Sequence, residues 1–146
     1  MTRLSNGQVL SCIAEVKRGN TPLGLQLLEA DVVHLNCPIA KAWYGYCLAR
    51  EKDEFSKGIT LCKEALDINP RETEIYLALG RIYLLLGRRE KAISILEQGM
   101  KMDHGQDIER LLETLGVRHQ PVFPFLKRRN LMNVTSGRLL SKIGLR

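Results

Sequence analysis

The strongest constraint on the fold is a regular spacing of large and small apolar residues between positions 72 and 103. One helical face holds four of them at i, i+3, i+4 and i+7: Tyr76, Leu79, Gly80 and Tyr83. A second face follows after Gly87 with a similar mix: Ala92, Leu96 and Gly99. Glycine lets a neighbouring backbone approach closely. The spacing therefore predicts two antiparallel helices that pack tightly on each other.

The same pattern occurs again upstream and fades toward the start of the chain. Between residues 40 and 70 the matching positions hold Trp43, Tyr46, Cys47, Gly58, Cys62 and Ala65. Pro70 marks the boundary before the next helix. Residues 5–38 carry a weaker version, with Gly24 near the position of tight contact. After Gly105, one more amphipathic helix is predicted from Ile108, Leu111, Leu112 and Leu115.

This arrangement resembles the tetratricopeptide repeat, a helix–turn–helix unit of about 34 residues that stacks into a superhelix. The resemblance, to a small bacterial-type protein of that family, implies an all-α solenoid of stacked antiparallel helix pairs with a C-terminal capping helix and a basic tail. We expect a helical domain over residues 1–117 and the tail over 118–146. Within the domain we expect a degenerate repeat (5–38), an altered repeat (40–70), a full repeat (73–104) and the capping helix (106–116).

Charge is distributed unevenly between these two parts. Residues 118–146 hold seven basic and no acidic residues, which leaves fifteen basic and sixteen acidic residues before them. The net charge of +6 therefore lies entirely in the tail. No apolar run reaches the roughly 18–20 residues of a membrane span, and the first residues lack the layout of a secretory signal. We expect a cytoplasmic protein.

Catalytic and metal-binding patterns are missing from the sequence. It contains no G-x-S-x-G, H-E-x-x-H or P-loop motif. The cysteines form no C-x-x-C pair, and the histidines supply no close ligand pairs for zinc. We therefore expect no enzyme, no metal and no cofactor, and we interpret the four cysteines as small buried apolar residues: Cys12, Cys37, Cys47 and Cys62.

In the tetratricopeptide repeat family the first helix of each repeat lines a concave groove. Mapped onto this chain, the resemblance implies a set of groove residues: Lys41, Tyr44, Leu48, Glu74, Leu77, Arg81 and Leu84. The centre of that groove is expected to be apolar, so an apolar or amphipathic peptide fits better than the anionic C terminus of a chaperone. Two alternatives stay open: Leu84 packs on the next helix, and Tyr44 and Leu48 are not exposed.

The tail contains an apolar segment, residues 122–126, followed by a basic cluster. An exposed segment of this kind is costly in water, so we expect it to lie against the protein's own body or in the groove. The residues predicted to make tail contacts are Phe123, Phe125, Lys127, Arg128 and Arg129. Alternatively the basic residues bind an anionic membrane surface or nucleic acid, or they simply remain solvated.

The sequence thus predicts a protein–protein interaction module: an adaptor, scaffold or chaperone that binds a protein or peptide partner, with homo-oligomerisation also open. The main alternative is a tail-directed role in which the repeats act as a scaffold. A second alternative resembles the small repeat-built chaperones of bacterial secretion systems, although those usually carry an acidic body and no basic tail of this kind.

Overall fold

The computed structural model describes residues 5–31 and 37–117, and it folds them entirely into helices and their connections. The elements are α1 (Asn6–Lys17), α2 (Thr21–Asp31), α3 (Pro38–Lys52), α4 (Phe55–Ile68), α5 (Thr73–Leu85), α6 (Arg89–Met102) and α7 (Gln106–Thr114). No strand occurs in these ranges. The predicted all-α class is confirmed.

Local sequence explains where several helices begin and end. At the start of α1, Ser5 and Gln8 form a capping box: the Gln8 amide donates to Ser5 Oγ at 3.4 Å, and the Ser5 amide donates to Gln8 Oε1 at 2.7 Å. Pro38 occupies the first turn of α3, where its missing N–H costs no hydrogen bond. Gly87 ends the α5 segment with φ of 70°, a conformation that favours glycine.

The helices form two layers. Consecutive helices pair as α1–α2, α3–α4 and α5–α6, and α7 packs against α5 and α6. The odd-numbered helices also contact one another in the order α1, α3, α5, α7, whereas α2, α4 and α6 share no contacts among the described residues. In a curved stack of helix pairs, the helices on the inside of the curve contact one another, whereas those on the outside are spread apart. The odd-numbered helices therefore form the inner, concave layer of a helical solenoid.

The central helix α3 is buried on almost every side because α1, α2, α4 and α5 all contact it. Every residue from Ala42 to Ala49 is buried, and Trp43 is completely inaccessible. The other large residues predicted from the spacing to form the core are also buried: Tyr46, Tyr76, Leu79, Tyr83 and Leu96.

The contact between α3 and α4 differs from the one predicted. The sequence pattern places Cys47 at the position of Gly80, which lies against Leu96 of α6. In the structure the backbones of α3 and α4 meet at Gly45 and Gly58 instead, while Cys47 Sγ lies beside Gly24 of α2. Glycine at both positions permits this approach because neither carries a Cβ atom.

No helix in the described part of the chain is both long enough and apolar enough to cross a bilayer.

Candidate functional site

A lysine from the first helix connects three helices of the inner layer. Lys17 Nζ lies 2.6 Å from Glu74 Oε1 of α5 and 2.8 Å from Asp107 Oδ2 of α7. Helix α1 itself contacts only α2 and α3 among the described helices. The Lys17 side chain therefore reaches α5 and α7 although α1 itself packs against neither of these helices.

The floor of this site is aromatic. The Trp43 indole Nε1–H donates to Glu74 Oε2 at 3.0 Å, which fixes both groups. The Lys17 ammonium lies 5.6 Å from the Trp43 ring centroid, and the Arg81 guanidinium lies 5.4 Å from the same centroid. Tyr46 meets the indole edge-to-face at 5.6 Å and also faces Arg81, at 5.9 Å. Two cations thus share one aromatic platform, an arrangement favoured by the negative faces of the rings.

The ion pairs shift the acid–base equilibria of their members. The hydrogen bond from Lys17 holds the pKa of Asp107 below its ordinary value, against the opposing effect of burial. Burial lowers the pKa of Lys17, but the hydrogen bonds to Asp107 and Glu74 outweigh it and raise that pKa overall. Lys17 and Asp107 are therefore both charged at neutral pH.

A cavity of about 130 Å³ lies next to the ion pairs, where the N-terminal ends of α5 and α7 approach each other. Glu74 and Asp107 are among its lining residues. The remaining lining residues are Thr73, Leu77, Gly105, Gln106 and Ile108. The volume of the cavity suits one side chain better than a small organic ligand.

Two of the predicted groove residues lie at this site. Glu74 binds Lys17 and Trp43, and Arg81 covers the aromatic platform. Leu84, at the far end of α5, is half-buried. These residues remain candidates for contact with a partner.

The other predicted groove residues point elsewhere. Lys41 pairs with Glu64 of the outer helix α4 at 2.5 Å. Tyr44, Leu48 and Leu77 are only 9%, 1% and 1% exposed. The helices around α3 enclose Tyr44 and Leu48, and Leu77 of α5 is buried as well. The expectation that the groove has an open apolar centre is therefore corrected.

Burial also affects the chemistry of two enclosed side-chain types. Desolvation, together with the nearby Glu29 carboxylate, raises the pKa of Tyr44. Burial raises the pKa of the Cys47 and Cys62 thiols to about 12 in each case, so they stay protonated at neutral pH. Cys37 is half-buried. Among the described residues, no group of three or more His, Cys, Asp or Glu side chains is placed to hold a metal ion.

Sequence reasoning missed Lys17 and Asp107. A signal for Asp107 was present, because it lies 33 residues after Glu74, the spacing between equivalent positions of successive repeats. No comparable signal identified Lys17, which is the last residue of α1 and belongs to the least regular repeat. The predicted tail contacts, Phe123, Phe125, Lys127, Arg128 and Arg129, lie outside the described residues.

Comparison with known proteins agrees with this architecture. Residues 49–115, which run from the end of α3 through α7, match the family model for the tetratricopeptide repeat. No curated protein matches the sequence. The paired helices and the inner layer agree with this match, which identifies residues 49–115 as tetratricopeptide repeats.

Proposed function

We propose that this protein holds an amphipathic segment of a partner protein on the inner face of its helical layer, as an adaptor, scaffold or chaperone. Tetratricopeptide repeats are in general protein–protein interaction modules. The observation that carries the proposal is the set of partly exposed charged groups on a rigid aromatic floor, formed by Glu74 and Arg81 over Trp43.

This arrangement suits recognition because its geometry is fixed before binding. The Trp43 indole is completely buried and hydrogen-bonded to Glu74, so neither group loses much freedom when a partner arrives. A guanidinium stacked on aromatic rings keeps the N–H groups at its edge available for hydrogen bonds. Arg81 therefore supplies directional donors and Glu74 supplies an acceptor.

The burial pattern favours an amphipathic partner over a purely apolar one. Tyr44, Leu48 and Leu77 are enclosed and contribute almost no surface. Apolar contact is left to the end of α5, where Leu84 is half-buried and Leu85 is 36% exposed. Polar groups along α5 and apolar contact at its C-terminal end would match a segment with both kinds of side chain.

The test is selection of peptides from a random display library against the full-length chain, followed by affinity measurements on variants. The double variant Glu74→Gln/Arg81→Gln should weaken binding by about tenfold or more, which corresponds to about 1.4 kcal/mol. The matched control Glu97→Gln/Lys101→Gln changes the same charges on exposed positions of the outer helix α6 and should leave affinity unchanged. Equal affinities for both double variants would place the binding surface elsewhere and refute the proposal.

The tail supports a second candidate function, because residues 118–146 carry seven basic residues and no acidic ones. Binding to an anionic membrane or nucleic acid would depend steeply on salt. The full-length variant Lys127→Gln/Arg128→Gln/Arg129→Gln should lose sedimentation with phosphatidylserine vesicles, or retention on RNA, if this function is real. Absence of wild-type binding at low salt would exclude both tail functions.

A further inference from the structure

We propose that Glu74, Asp107 and Trp43 form a receptor for the ammonium group of a lysine from the bound partner, and that Lys17 occupies this receptor in the free protein. We call these three side chains the ammonium site. The inference rests on the proposed function, since it names the chemistry that a partner segment presents to the inner face.

The chemistry of the ammonium site is shown by the group already in it. A primary ammonium sits 2.6 Å from one carboxylate and 2.8 Å from another, with an indole ring centroid at 5.6 Å. The two carboxylates belong to different helices and converge on one point. Convergent acceptors suit the three donors of a compact ammonium, whereas a guanidinium prefers the two oxygens of one carboxylate side by side.

Lys17 can leave the ammonium site at little structural cost. Lys17 reaches the site with its side chain alone, because α1 has no helix contact with α5 or α7 in the described part of the chain. Its withdrawal would separate no packed helices, and the part of the Trp43 ring that it uncovers would be covered again by the stem of the incoming lysine. The Glu74 and Asp107 side chains are also 28% and 43% exposed, so an incoming lysine can approach them from solvent.

The adjoining cavity provides space that Lys17 leaves open. Its volume of about 130 Å³ leaves room beside Glu74 and Asp107 for the methylene stem of a partner's lysine. Exchange of one ammonium for another keeps both carboxylates paired throughout. An unpaired, partly buried charge is therefore avoided in both states.

Trp43 is the only tryptophan in the sequence, so its indole N–H gives a single NMR signal that reports directly on the site. The probe is N-acetyl-lysine methylamide, and its Nε-acetylated form is the neutral control. The full-length variant Lys17→Met removes the internal ammonium. Since the tethered Lys17 ammonium competes with the probe in the wild type, we expect the lysine probe to bind this variant about fivefold more tightly, which corresponds to about 1 kcal/mol.

The controls separate the ammonium site from general charge effects. Lys101→Met, on the exposed side of α6, should behave as the wild type, and Lys17→Met/Glu74→Gln should lose most of the gain. Glycine methylamide, which carries only a short α-ammonium, should bind more weakly than the lysine probe. Binding of the glycine probe as tight as that of the lysine probe would overturn the assignment to lysine.

The proposal is also overturned if Lys17→Met binds the lysine probe no better than the acetylated probe or no better than the wild type does. Should Lys17→Met fail to fold, Lys17→Gln replaces it as the variant without the internal ammonium, with equal binding of the two lysine probes as the refuting result. These probes involve no partner protein. Their binding to a chain whose inner face captures no peptide would refute the proposed function and retain the site.

Discussion

The close approach of α3 and α4 gives a direct test of the packing that builds the inner face. Gly45 and Gly58 meet backbone to backbone, and a Cβ atom added at Gly45 would lie 2.7 Å from the carbonyl oxygen of Gly58. A backbone atom inside a helix cannot rotate away. The substitution Gly45→Ala therefore forces the two helices apart and loosens the packing around Trp43.

The expected magnitude follows from two opposing effects. Overpacking a tight core typically costs about 1–3 kcal/mol, and we take the upper part of that range, about 2–3 kcal/mol, because the contact is with backbone atoms of Gly58. Replacing glycine by alanine inside a helix contributes about 1 kcal/mol in the opposite direction. We therefore expect Gly45→Ala to lower the free energy of unfolding by about 1–2 kcal/mol and the melting temperature by about 4–8 °C.

Thermal and urea unfolding of matched alanine variants would measure this effect. At Gly7, on the exposed start of α1, a Cβ meets nothing within 4 Å, so Gly7→Ala should be neutral or slightly stabilising. At Gly80 the added atom meets the Leu96 side chain at 2.7 Å, which can adjust its rotamer, so Gly80→Ala should fall between the two. If Gly45→Ala were as stable as Gly7→Ala, α3 and α4 would not be in contact through these glycines.

Three further predictions concern the ion pairs and the buried thiols. Lys17→Met should lower the free energy of unfolding by about 1 kcal/mol at low salt, because these pairs are partly exposed, and unfolding in 1 M salt should show almost no difference. The folded-state pKa of Asp107 is lowered, so its contribution to stability should be complete above its ordinary value of 3.8 and lost as the pH falls through the lowered pKa; carbon NMR titration should find a higher Asp107 pKa in Lys17→Met. Iodoacetamide at pH 8, followed by mass spectrometry, should leave Cys47 and Cys62 unmodified until the protein unfolds, because burial raises both thiol pKa values to about 12.

The helices and most of the core were predictable because they depend on local spacing. Residues at i, i+3, i+4 and i+7 share a helix face whatever surrounds them, and the apolar ones seek cover. Trp43, Tyr76 and Leu96 are buried for this reason. Their positions required no knowledge of neighbouring repeats.

A single repeat length could not align the altered repeat (40–70) with the full repeat (73–104). Tyr76 follows Trp43 by 33 residues, whereas Ala92 follows Gly58 by 34, so the two helices of the repeat match their counterparts at different offsets. The turn between α3 and α4 is short and uses Asp53 at φ of 55°, a left-handed conformation that aspartate tolerates better than most residues. Which small residue then faces α4 depends on the path of this turn.

Exposure at the predicted groove was the least predictable feature, because it depends on residues far away in the sequence. Tyr44 and Leu48 occupy groove positions by resemblance, but α3 is enclosed by four helices and both side chains are buried. The contribution of Lys17 is equally non-local, since it lies 57 residues from Glu74 and 90 from Asp107. Periodicity within one helix contains no information about either effect.

The repeat period explains why two carboxylates so far apart can serve one ammonium. Glu74 and Asp107 are each the second residue of an inner helix, and successive inner helices pack side by side, so equivalent positions become neighbours. Lys41, another 33 residues earlier, belongs to the same row but pairs with Glu64 on the outer layer. Such a row is only partly exposed and lies outside the apolar core. Its charges can therefore change from repeat to repeat without disturbing helix packing, and this separates the residues that determine partner choice from those that determine the fold.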